Sequence, residues 1–348
     1  MSIFRIALSG DFKNSDGSAA FPMFDLNALE DDPNFEMHYV DAENGRMDGA
    51  TLAGFDALIL LGVRFDVGSI PQDGRLSIVA RFGVGFDNVD VDACSKAGIG
   101  VAITPDGVRR PVAVSILTLI LALAGKLFDK DRLARQGPEG FAKRADYMGT
   151  GLVGRTLGSI GLGNIGVEMF ALCAPLGMKL IAHDPWADPD LAHSHGIELV
   201  SLEQVFAQSD FLCLNTPLTP ETIHLVNGER LALMKKSAYL INTSRGQVVD
   251  QPALVEALET GVIAGAALDV FDPEPPLADD PILQLDNVIV TPHALCWTDQ
   301  CFAGIGASCV DQVLMVRNGE TPPHLVNRQV AENATFKQRL ADYKSASG

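Results

Sequence analysis

Three residues whose side chains could bind an acid and transfer a proton each follow a predicted strand at short distance. Arg245, Glu274 and His293 lie beyond the ends of three different apolar runs in the second half of the chain. Ligands bind outside the carboxyl ends of the strands of an open parallel sheet, so we expect these side chains to meet at one edge. His293 can take or give a proton near neutral pH, and a neighbouring Glu274 carboxylate would raise the pKa of its imidazole. Arg245 would hold the carboxylate of an acid substrate through charge-assisted hydrogen bonds.

Each of these residues also has a purely structural interpretation. Arg245 is then a loop cation, Glu274 one of several acids in the stretch 269–275, and His293 a hydrogen-bonded core histidine. Taken singly, these interpretations compete with the catalytic ones. Because all three residues follow separate strands of one predicted nucleotide-binding fold, the catalytic interpretation explains their positions better.

A glycine pattern, Gly-x-Gly-x-x-Gly, directly follows residues 157–160 of a predicted strand at 156–162 and opens a predicted helix at 167–173. Its glycines are Gly161, Gly163 and Gly166. In dinucleotide-binding proteins the first glycine permits the tight turn, the second admits the pyrophosphate close to the backbone, and the third lets the helix pack on the strand. The alternative, a glycine-rich turn in an ordinary α/β protein, does not explain why strand, glycines and helix occur in this order.

An acidic residue ends the next predicted strand, 179–183. Asp184 stands about 20 residues beyond the glycines, where a carboxylate accepts hydrogen bonds from the adenosine ribose hydroxyls. A 2'-phosphate would meet this carboxylate as a like charge, and no arginine lies between His183 and Ser201 to receive it. The sequence therefore predicts NAD as cofactor. A hydride carrier beside an acid–base histidine indicates oxidation of a secondary alcohol or the reverse reduction.

Short apolar runs that end near Gly or Pro alternate with helical stretches, which is typical of an α/β protein with parallel sheets. The first series predicts strands at 5–9, 37–40, 57–61, 77–82 and 101–104. The second predicts six strands, at 156–162, 179–183, 211–215, 239–243, 264–270 and 287–291. We therefore predict a Rossmann NAD-binding domain, 105–296, inserted into a smaller flavodoxin-like substrate domain, 1–104 and 297–348. The stretch 327–348 is expected to be a terminal helix or a frayed tail.

Composition excludes several classes of partner. The chain has 348 residues, 47% of them hydrophobic, and a net charge of −18, which provides no basic surface for nucleic acid or an anionic membrane. The N-terminus lacks a signal-peptide pattern, and the apolar run 112–124 is too short to span a bilayer, so we expect a buried helix and a soluble, cytoplasmic protein. The six cysteines have no C-x-x-C spacing, so buried thiols are expected and no metal site.

Six ordered segments resemble the D-isomer-specific 2-hydroxyacid dehydrogenases over nearly the whole chain. They are 83–90 (GVGFDNVD), 158–166 (GSIGLGNIG), 217–222 (PLTPET), 242–246 (NTSRG), 267–271 (ALDVF) and 291–293 (TPH). The resemblance maps the catalytic Arg, Glu and His of the family onto Arg245, Glu274 and His293. It also maps cofactor contacts, in addition to Gly161, Gly163, Gly166 and Asp184, onto Asn164, Ile165, Pro217, Thr222, Thr243, Ser244, Arg245, Asp269 and His293.

The resemblance carries three further implications. A homodimer is expected, formed largely by the cofactor domain and a connecting helix at 111–128. The substrate, of D configuration at C2, is expected to bind Arg245 and His293 and the backbone of a loop formed by Gly62, Val63 and Arg64. NAD is expected to bind first, followed by closure of the outer domain about hinges near Pro105 and Pro292.

Two features depart from the common pattern of the family. Arg109 and Arg110 precede Pro111, where they either bind an extra negative charge on the substrate or are solvated loop cations. Cys296 and Trp297 follow His293 where many relatives carry small residues, and they either shape the substrate pocket or only pack. The residues alone leave both choices open.

Two other functions fit the same fold. A formate dehydrogenase would place glutamine where Glu274 stands, so Glu274 argues against that activity. A dinucleotide-binding sensor or corepressor would bind NAD with little turnover; the intact Arg245, Glu274 and His293 disfavour it, although corepressors of this fold can keep all three. Turnover with any 2-oxo acid separates these functions.

Overall fold

The computed structural model describes residues 3–347, and its contacts divide the chain into two units. Unit 1 comprises Met1–Val108 and Trp297–Gly348, and unit 2 comprises Arg109–Cys296. The prediction placed the first boundary after residue 104, four residues before this division, and the second before Trp297. Residues 1, 2 and 348 of the predicted outer domain lie outside the described residues.

Both units are built on parallel strands. The strands of unit 1 are β1 (Phe4–Ser9), β2 (Phe35–Val40), β3 (Ala57–Leu60), β4 (Ile78–Arg81) and β5 (Gly100–Ala102); those of unit 2 are β6 (Thr156–Ile160), β7 (Lys179–His183), β8 (Ile197–Leu199), β9 (Phe211–Leu214), β10 (Tyr239–Asn242), β11 (Gly265–Leu268) and β12 (Val288–Val290). The inner strands β3, β4, β9 and β10 are buried at every position. Helices cover both faces of such sheets, so their strands appear in sequence as continuous apolar runs rather than alternating patterns.

The helices connect these strands or flank the sheets. In chain order they are α1 (Asn27–Glu30), α2 (Val91–Lys96), α3 (Pro105–Gly125), α4 (Leu127–Arg135), α5 (Pro138–Ala142), α6 (Asn164–Cys173), α7 (Pro189–Ser194), α8 (Leu202–Gln208), α9 (Gly228–Leu231), α10 (Gln251–Glu259), α11 (Asp299–Arg317) and α12 (Ala334–Ser347). Side-chain caps begin several of them. Asp90, Asp188, Ser201, Asp250 and Thr298 each accept a backbone N–H of the first turn, which satisfies a donor that the helix itself leaves free.

The two sheets have the strand orders that the predicted fold class requires. The sheet of unit 1 has the order β2-β1-β3-β4-β5, and that of unit 2 has the order β12-β11-β10-β9-β6-β7-β8. These are the flavodoxin-like order and the doubly wound order whose direction of progression reverses beside its first strand, between β6 and β9. The α/β fold class is confirmed. The prediction of six strands in the second sheet was wrong, because β8 is a three-residue edge strand with two exposed residues and no apolar run.

The connecting helix is longer at its start than predicted and shorter at its end. The range 111–128 was expected, but α3 begins at Pro105, contains Pro111, and ends at Gly125. Lys126 adopts a left-handed backbone with φ of 50°, which ends the helix before Phe128. At 21 residues α3 is long and apolar enough to cross a membrane by length and composition alone. The expectation that the apolar segment is too short to span a bilayer was therefore wrong. However, 61% of its most apolar window is buried inside the fold, as in a core helix.

The C-terminal stretch forms a packed helix rather than a frayed tail. In α12, Phe336 is fully buried. Arg339 donates hydrogen bonds to the carbonyl oxygens of Leu76 and Gly98, and the hydroxyl of Tyr343 donates to Asp56. These hydrogen bonds attach α12 to the residues that lie just before β3, β4 and β5.

Candidate active site

The glycine loop of unit 2 connects β6 to α6 and allows no side chain at two of its three glycines. Gly161 has φ of +95°, and a Cβ there would lie 2.3 Å from the carbonyl oxygen of Asn215. A Cβ on Gly166 would lie 2.8 Å from the carbonyl oxygen of Gly161. The first glycine therefore makes the turn and the third brings the helix against it, as predicted.

The second glycine borders open space. A Cβ on Gly163 would meet nothing within 4 Å, and no side chain caps α6, which starts at Asn164. The first N–H groups of this helix are therefore available, and the helix dipole adds positive potential at the same point. An exposed helix start with room above its glycine fits the pyrophosphate of a dinucleotide.

Asp184 follows β7 and is tied to the glycine loop. Its Oδ2 accepts the backbone N–H of Leu162 at 2.8 Å, and its Oδ1 accepts that of Trp186 at 2.8 Å. A carboxylate has about four acceptor positions, so two remain for the hydroxyls of a ribose. The side chain is only partly buried, and its position beside the first glycine turn fits the ribose site predicted from the sequence.

The remaining predicted cofactor residues lie on loops at the carboxyl edge of the same sheet. Asn164 and Ile165 form the first turn of α6. Pro217 and Thr222 lie in the turn after β9, where the Thr222 hydroxyl donates to the carbonyl oxygen of Pro217 at 2.8 Å. Thr243 follows β10, next to Ser244, whose hydroxyl donates to Asn242. Because β9 pairs with β6, the Pro217 turn is next to the glycine loop; cofactor contact at each residue remains a prediction.

The structure brings His293 and Glu274 together. The Nδ1 of His293 lies 2.6 Å from Oε1 of Glu274, and Oε2 of Glu274 accepts the N–H of Phe271 at 3.3 Å. The backbone of His293 is left-handed, with φ of 53°, a conformation that a non-glycine residue adopts at some energetic cost and that clusters at functional sites. The contact holds one ring nitrogen and leaves Nε2 for chemistry.

The charges around His293 change its titration. The pKa of His293 is raised, because its hydrogen bond to Glu274 and the negative charge of that residue outweigh burial and the positive charge of Arg245. Burial acts to raise the pKa of Glu274, but the hydrogen bond from His293 and the charges of His293 and Arg245 bring it below its usual value. The pair is therefore imidazolium and carboxylate over a wider pH range than an isolated histidine would allow.

Asp269 anchors the segment that carries His293. This buried carboxylate follows β11, and its Oδ1 accepts the Thr291 hydroxyl at 2.6 Å and the N–H of Ala294 at 3.2 Å. The N–H of Leu295 lies 3.3 Å from the same oxygen. Asp269 was predicted as a cofactor contact, and its hydrogen bonds show that it also holds the residues on both sides of His293.

Arg245 is held close to this pair by its own loop. Asn242, which is buried, donates to the carbonyl oxygen of Arg245 at 2.9 Å. A Cβ on the next residue, Gly246, would lie 1.8 Å from the carbonyl oxygen of Phe271. The Arg245 turn therefore packs directly against the turn that carries Glu274, which explains why its charge affects the pKa of both partners.

In unit 1, the predicted substrate loop follows β3 and has internal partners. The N–H of Gly62 donates to Oδ2 of Asp11 at 2.7 Å, so this amide is already engaged. The Arg64 side chain lies 3.4 Å from Asp66, and the carbonyl oxygen of Val63 accepts the Asn88 amide at 2.8 Å. Substrate binding by this loop remains a prediction.

The structure bears on two choices that the residues left open, the roles of Arg109 and Arg110 and the role of Trp297. Nη1 of Arg110 lies 2.7 Å from Glu168 and Nε of Arg109 lies 3.9 Å from it. Both arginines lie within α3, so they are not loop cations, and each has a carboxylate partner within unit 2. In unit 1, the Trp297 ring packs edge-on against Phe21 and Phe302, yet it remains 54% exposed.

Sequence reasoning missed the residues that position the site. Asn242 and Thr291 hold the segments of Arg245 and His293, and both lie at the strand ends that were searched for catalytic groups. A polar side chain ending an otherwise apolar strand was the available signal, since a buried amide or hydroxyl must find a partner.

Known proteins resemble this chain in sequence and in fold. A family model for the NAD binding domain of D-isomer specific 2-hydroxyacid dehydrogenases matches residues 117–294. The chain belongs to this family. It is therefore an NAD-dependent oxidoreductase acting on a CH–OH group, and the predicted family and cofactor are confirmed.

Individual relatives show the extent of the similarity. A glyoxylate reductase of Korarchaeum cryptofilum (strain OPF8) is 39% identical over 279 residues, which cover 80% of this chain and 84% of the relative. A D-3-phosphoglycerate dehydrogenase of Methanocaldococcus jannaschii is 41% identical over 259 residues, which cover 74% of this chain and 49% of the relative. The NAD-complexed structure of a D-isomer specific 2-hydroxyacid dehydrogenase from Lactobacillus delbrueckii ssp. bulgaricus has 25% identity and a TM-score of 0.73, covering 93% of this chain and all of that one.

Proposed function

We propose that this protein interconverts a small D-2-hydroxy acid and its 2-oxo acid, with His293 as the acid–base group. The observation that carries the proposal is the 2.6 Å contact between His293 and Glu274 at the carboxyl edge of the unit 2 sheet, beside Arg245. Family membership supports the reaction class. Glu274 at this position disfavours a formate dehydrogenase.

Held at the glycine loop and Asp184, reduced NAD would supply the hydride for C2 of the oxo acid in the direction of reduction. As the C2–O double bond becomes a single bond, the negative charge that develops on oxygen takes a proton from Nε2 of His293. Glu274 accepts the hydrogen bond from Nδ1 and stabilises the imidazolium before the proton is given up. In oxidation the neutral imidazole takes the hydroxyl proton back.

Arg245 is proposed to bind the carboxylate of the substrate. Its guanidinium offers two parallel donors that match a carboxylate and fix the orientation of C2 relative to His293. Its positive charge also stabilises the developing alkoxide. The loop of Gly62, Val63 and Arg64 in unit 1 is proposed to contribute to binding of the acid, through groups other than the Gly62 amide, which Asp11 occupies.

The acids to test are glyoxylate, which relatives of this chain are named for, and other small 2-oxo acids. Glyoxylate, hydroxypyruvate, pyruvate, longer sugar-derived 2-oxo acids and phosphorylated analogues form the panel, each assayed with NADH and NADPH by absorbance at about 340 nm. We expect turnover with NADH and at least one unphosphorylated acid, because the two arginines considered for extra charge are already paired with Glu168.

The role of His293 is tested by His293→Ala, with His195→Ala, an exposed histidine of the same unit, as the matched control. His293→Ala should lower kcat by at least about 100-fold, the usual contribution of acid–base catalysis, and change the Kd for NADH far less. Equal losses in kcat and in NADH affinity would contradict the assigned role. Wild-type protein that binds NADH but reduces no acid of the panel would favour a sensor or corepressor.

We further propose a cytoplasmic homodimer with no nucleic-acid or membrane partner. Exposed apolar side chains follow one another from α3 into the helices after it: Val114, Leu121, Leu127, Phe128 and Phe141. An apolar surface of this kind is typical of an interface. Light scattering should give about twice the 37.1 kDa chain mass, and a monomer at micromolar concentration would contradict the proposal.

A further inference from the structure

Trp186 exposes an unusually large apolar ring next to the cofactor site of unit 2. Its exposed fraction is 93%. Within residues 3–347 no aromatic ring is found packed on it, whereas Trp297 contacts both Phe21 and Phe302. Indole is a costly group to leave in water, and exposed tryptophan is enriched where a protein binds something else.

The backbone beneath this indole is fixed by Asp184. One carboxylate oxygen of Asp184 accepts the N–H of Trp186, and the other accepts the N–H of Leu162 in the glycine loop, both at 2.8 Å. Pro185 restricts the backbone between them, and the N–H of Ala187 reaches the carbonyl oxygen of Asp184 at 3.3 Å. The position of Trp186 is thus coupled to the groups that fit the pyrophosphate and the ribose.

The order of groups in a dinucleotide gives the occupant. With the pyrophosphate at the start of α6 and the adenosine ribose at Asp184, the adenine base continues away from the glycine loop, toward the residues that follow Asp184. The base is a flat aromatic ring that can stack on an exposed indole. Because the base is neutral, the negative net charge of the protein does not repel it. We propose that Trp186 stacks on the adenine of NAD and supplies a large part of the affinity for the adenosine half.

This inference depends on NAD binding and is independent of which acid the enzyme reduces. Stacking of a base on an aromatic side chain tolerates different bases, because every base offers a flat face. Loss of one such stack corresponds to about a 5- to 150-fold rise in Kd. Phenylalanine keeps a stacking face, so Trp186→Phe should retain most of the affinity that Trp186→Ser loses.

The test measures binding by calorimetry, with NADH and with ADP-ribose, which lacks the nicotinamide. Trp186→Ser should raise the Kd of both by the same factor of about 5 to 150, and Trp186→Phe by no more than about 3. Val67→Ser, which changes an exposed apolar side chain of unit 1, is the control and should change neither.

A second readout uses fluorescence in the Trp297→Phe background, where Trp186 is the single tryptophan. ADP-ribose does not absorb tryptophan emission, so quenching on its addition would report contact with the base. An unchanged ADP-ribose affinity in Trp186→Ser would overturn the proposal. So would a loss of affinity that accompanies a change from dimer to monomer, because Trp186 would then belong to a contact with a second copy. Failure to reduce any 2-oxo acid would instead count against the proposed function alone.

Discussion

Replacement of Glu274 by glutamine tests the proposed chemistry most directly. Glutamine keeps the size of the side chain and can still accept a hydrogen bond from Nδ1 of His293, but it removes the negative charge. In the structure that charge and the 2.6 Å hydrogen bond raise the pKa of His293. The variant should therefore fold normally and hold its imidazolium less strongly.

The size of the effect follows from the exposure of the pair. A hydrogen bond to a charged group contributes about 1.5 to 3 kcal/mol when it is well shielded. The side chains of His293 and Glu274 are 42% and 38% exposed, so solvent screens part of this energy. We expect a loss of about 1 kcal/mol in stabilisation of the imidazolium, which corresponds to about a fivefold change in rate where the protonated form is limiting.

The sign of the pH dependence differs between the two directions. Reduction of the oxo acid needs the imidazolium, so kcat/KM for reduction is high at low pH and falls as pH rises through the raised pKa of His293. Oxidation needs the neutral ring and rises over the same range. Glu274→Gln should move the fall in the reductive profile to lower pH, with a loss of about fivefold on its alkaline side and nearly equal rates at acidic pH.

The assay is kcat/KM for the preferred oxo acid, measured with saturating NADH from acidic to alkaline pH. Glu259→Gln, an exposed glutamate of α10, controls for the loss of one charge. A uniform loss at every pH would refute the reasoning, because it would mean that Glu274 orients the ring without affecting its protonation.

Three further predictions concern the cofactor and substrate groups. Gly163→Ala should leave the free energy of unfolding within about 1 kcal/mol of wild type, since its Cβ meets only open space, and should raise the Kd for NADH at least about tenfold because that space is where the pyrophosphate is expected. Gly161→Ala, whose Cβ would press on Asn215, should lower the free energy of unfolding by about 1 to 3 kcal/mol in urea denaturation. Equal stability of the two variants would contradict the assigned loop geometry. Asp184→Ser should weaken NADH binding about tenfold by loss of a charged acceptor and raise the ratio of NADPH to NADH turnover; an unchanged ratio would show that another group excludes the 2'-phosphate. Arg245→Lys should raise KM for the oxo acid about tenfold, because lysine cannot bind a carboxylate with two parallel bonds, and should change the Kd for NADH much less; equal changes in both would contradict the assigned role.

The sequence alone identified most of the architecture because both sheets are parallel, and helices cover the faces of such sheets, so that their strands are continuous apolar runs. Strands such as β3 and β9 are buried at every position, so their apolar runs are visible without any knowledge of their neighbours. The short edge strand β8 was missed because its pairing with β7, not its composition, makes it a strand. Likewise, the start of α3 was predicted at Pro111 but lies at Pro105. Either proline is compatible with a helix start, so the sequence did not decide between them.

The site shows the same division. Arg245, Glu274, His293 and the glycine loop could be predicted as site residues because each has a characteristic residue type at a strand end, which is local information. The tertiary structure decided which polar group each one meets. Asp269 holds the residues around His293, and Asp11 occupies the amide of Gly62 across 51 residues of sequence. A hydrogen bond depends on distance and direction in space, which the folded backbone sets and which residue type and spacing along the chain do not encode.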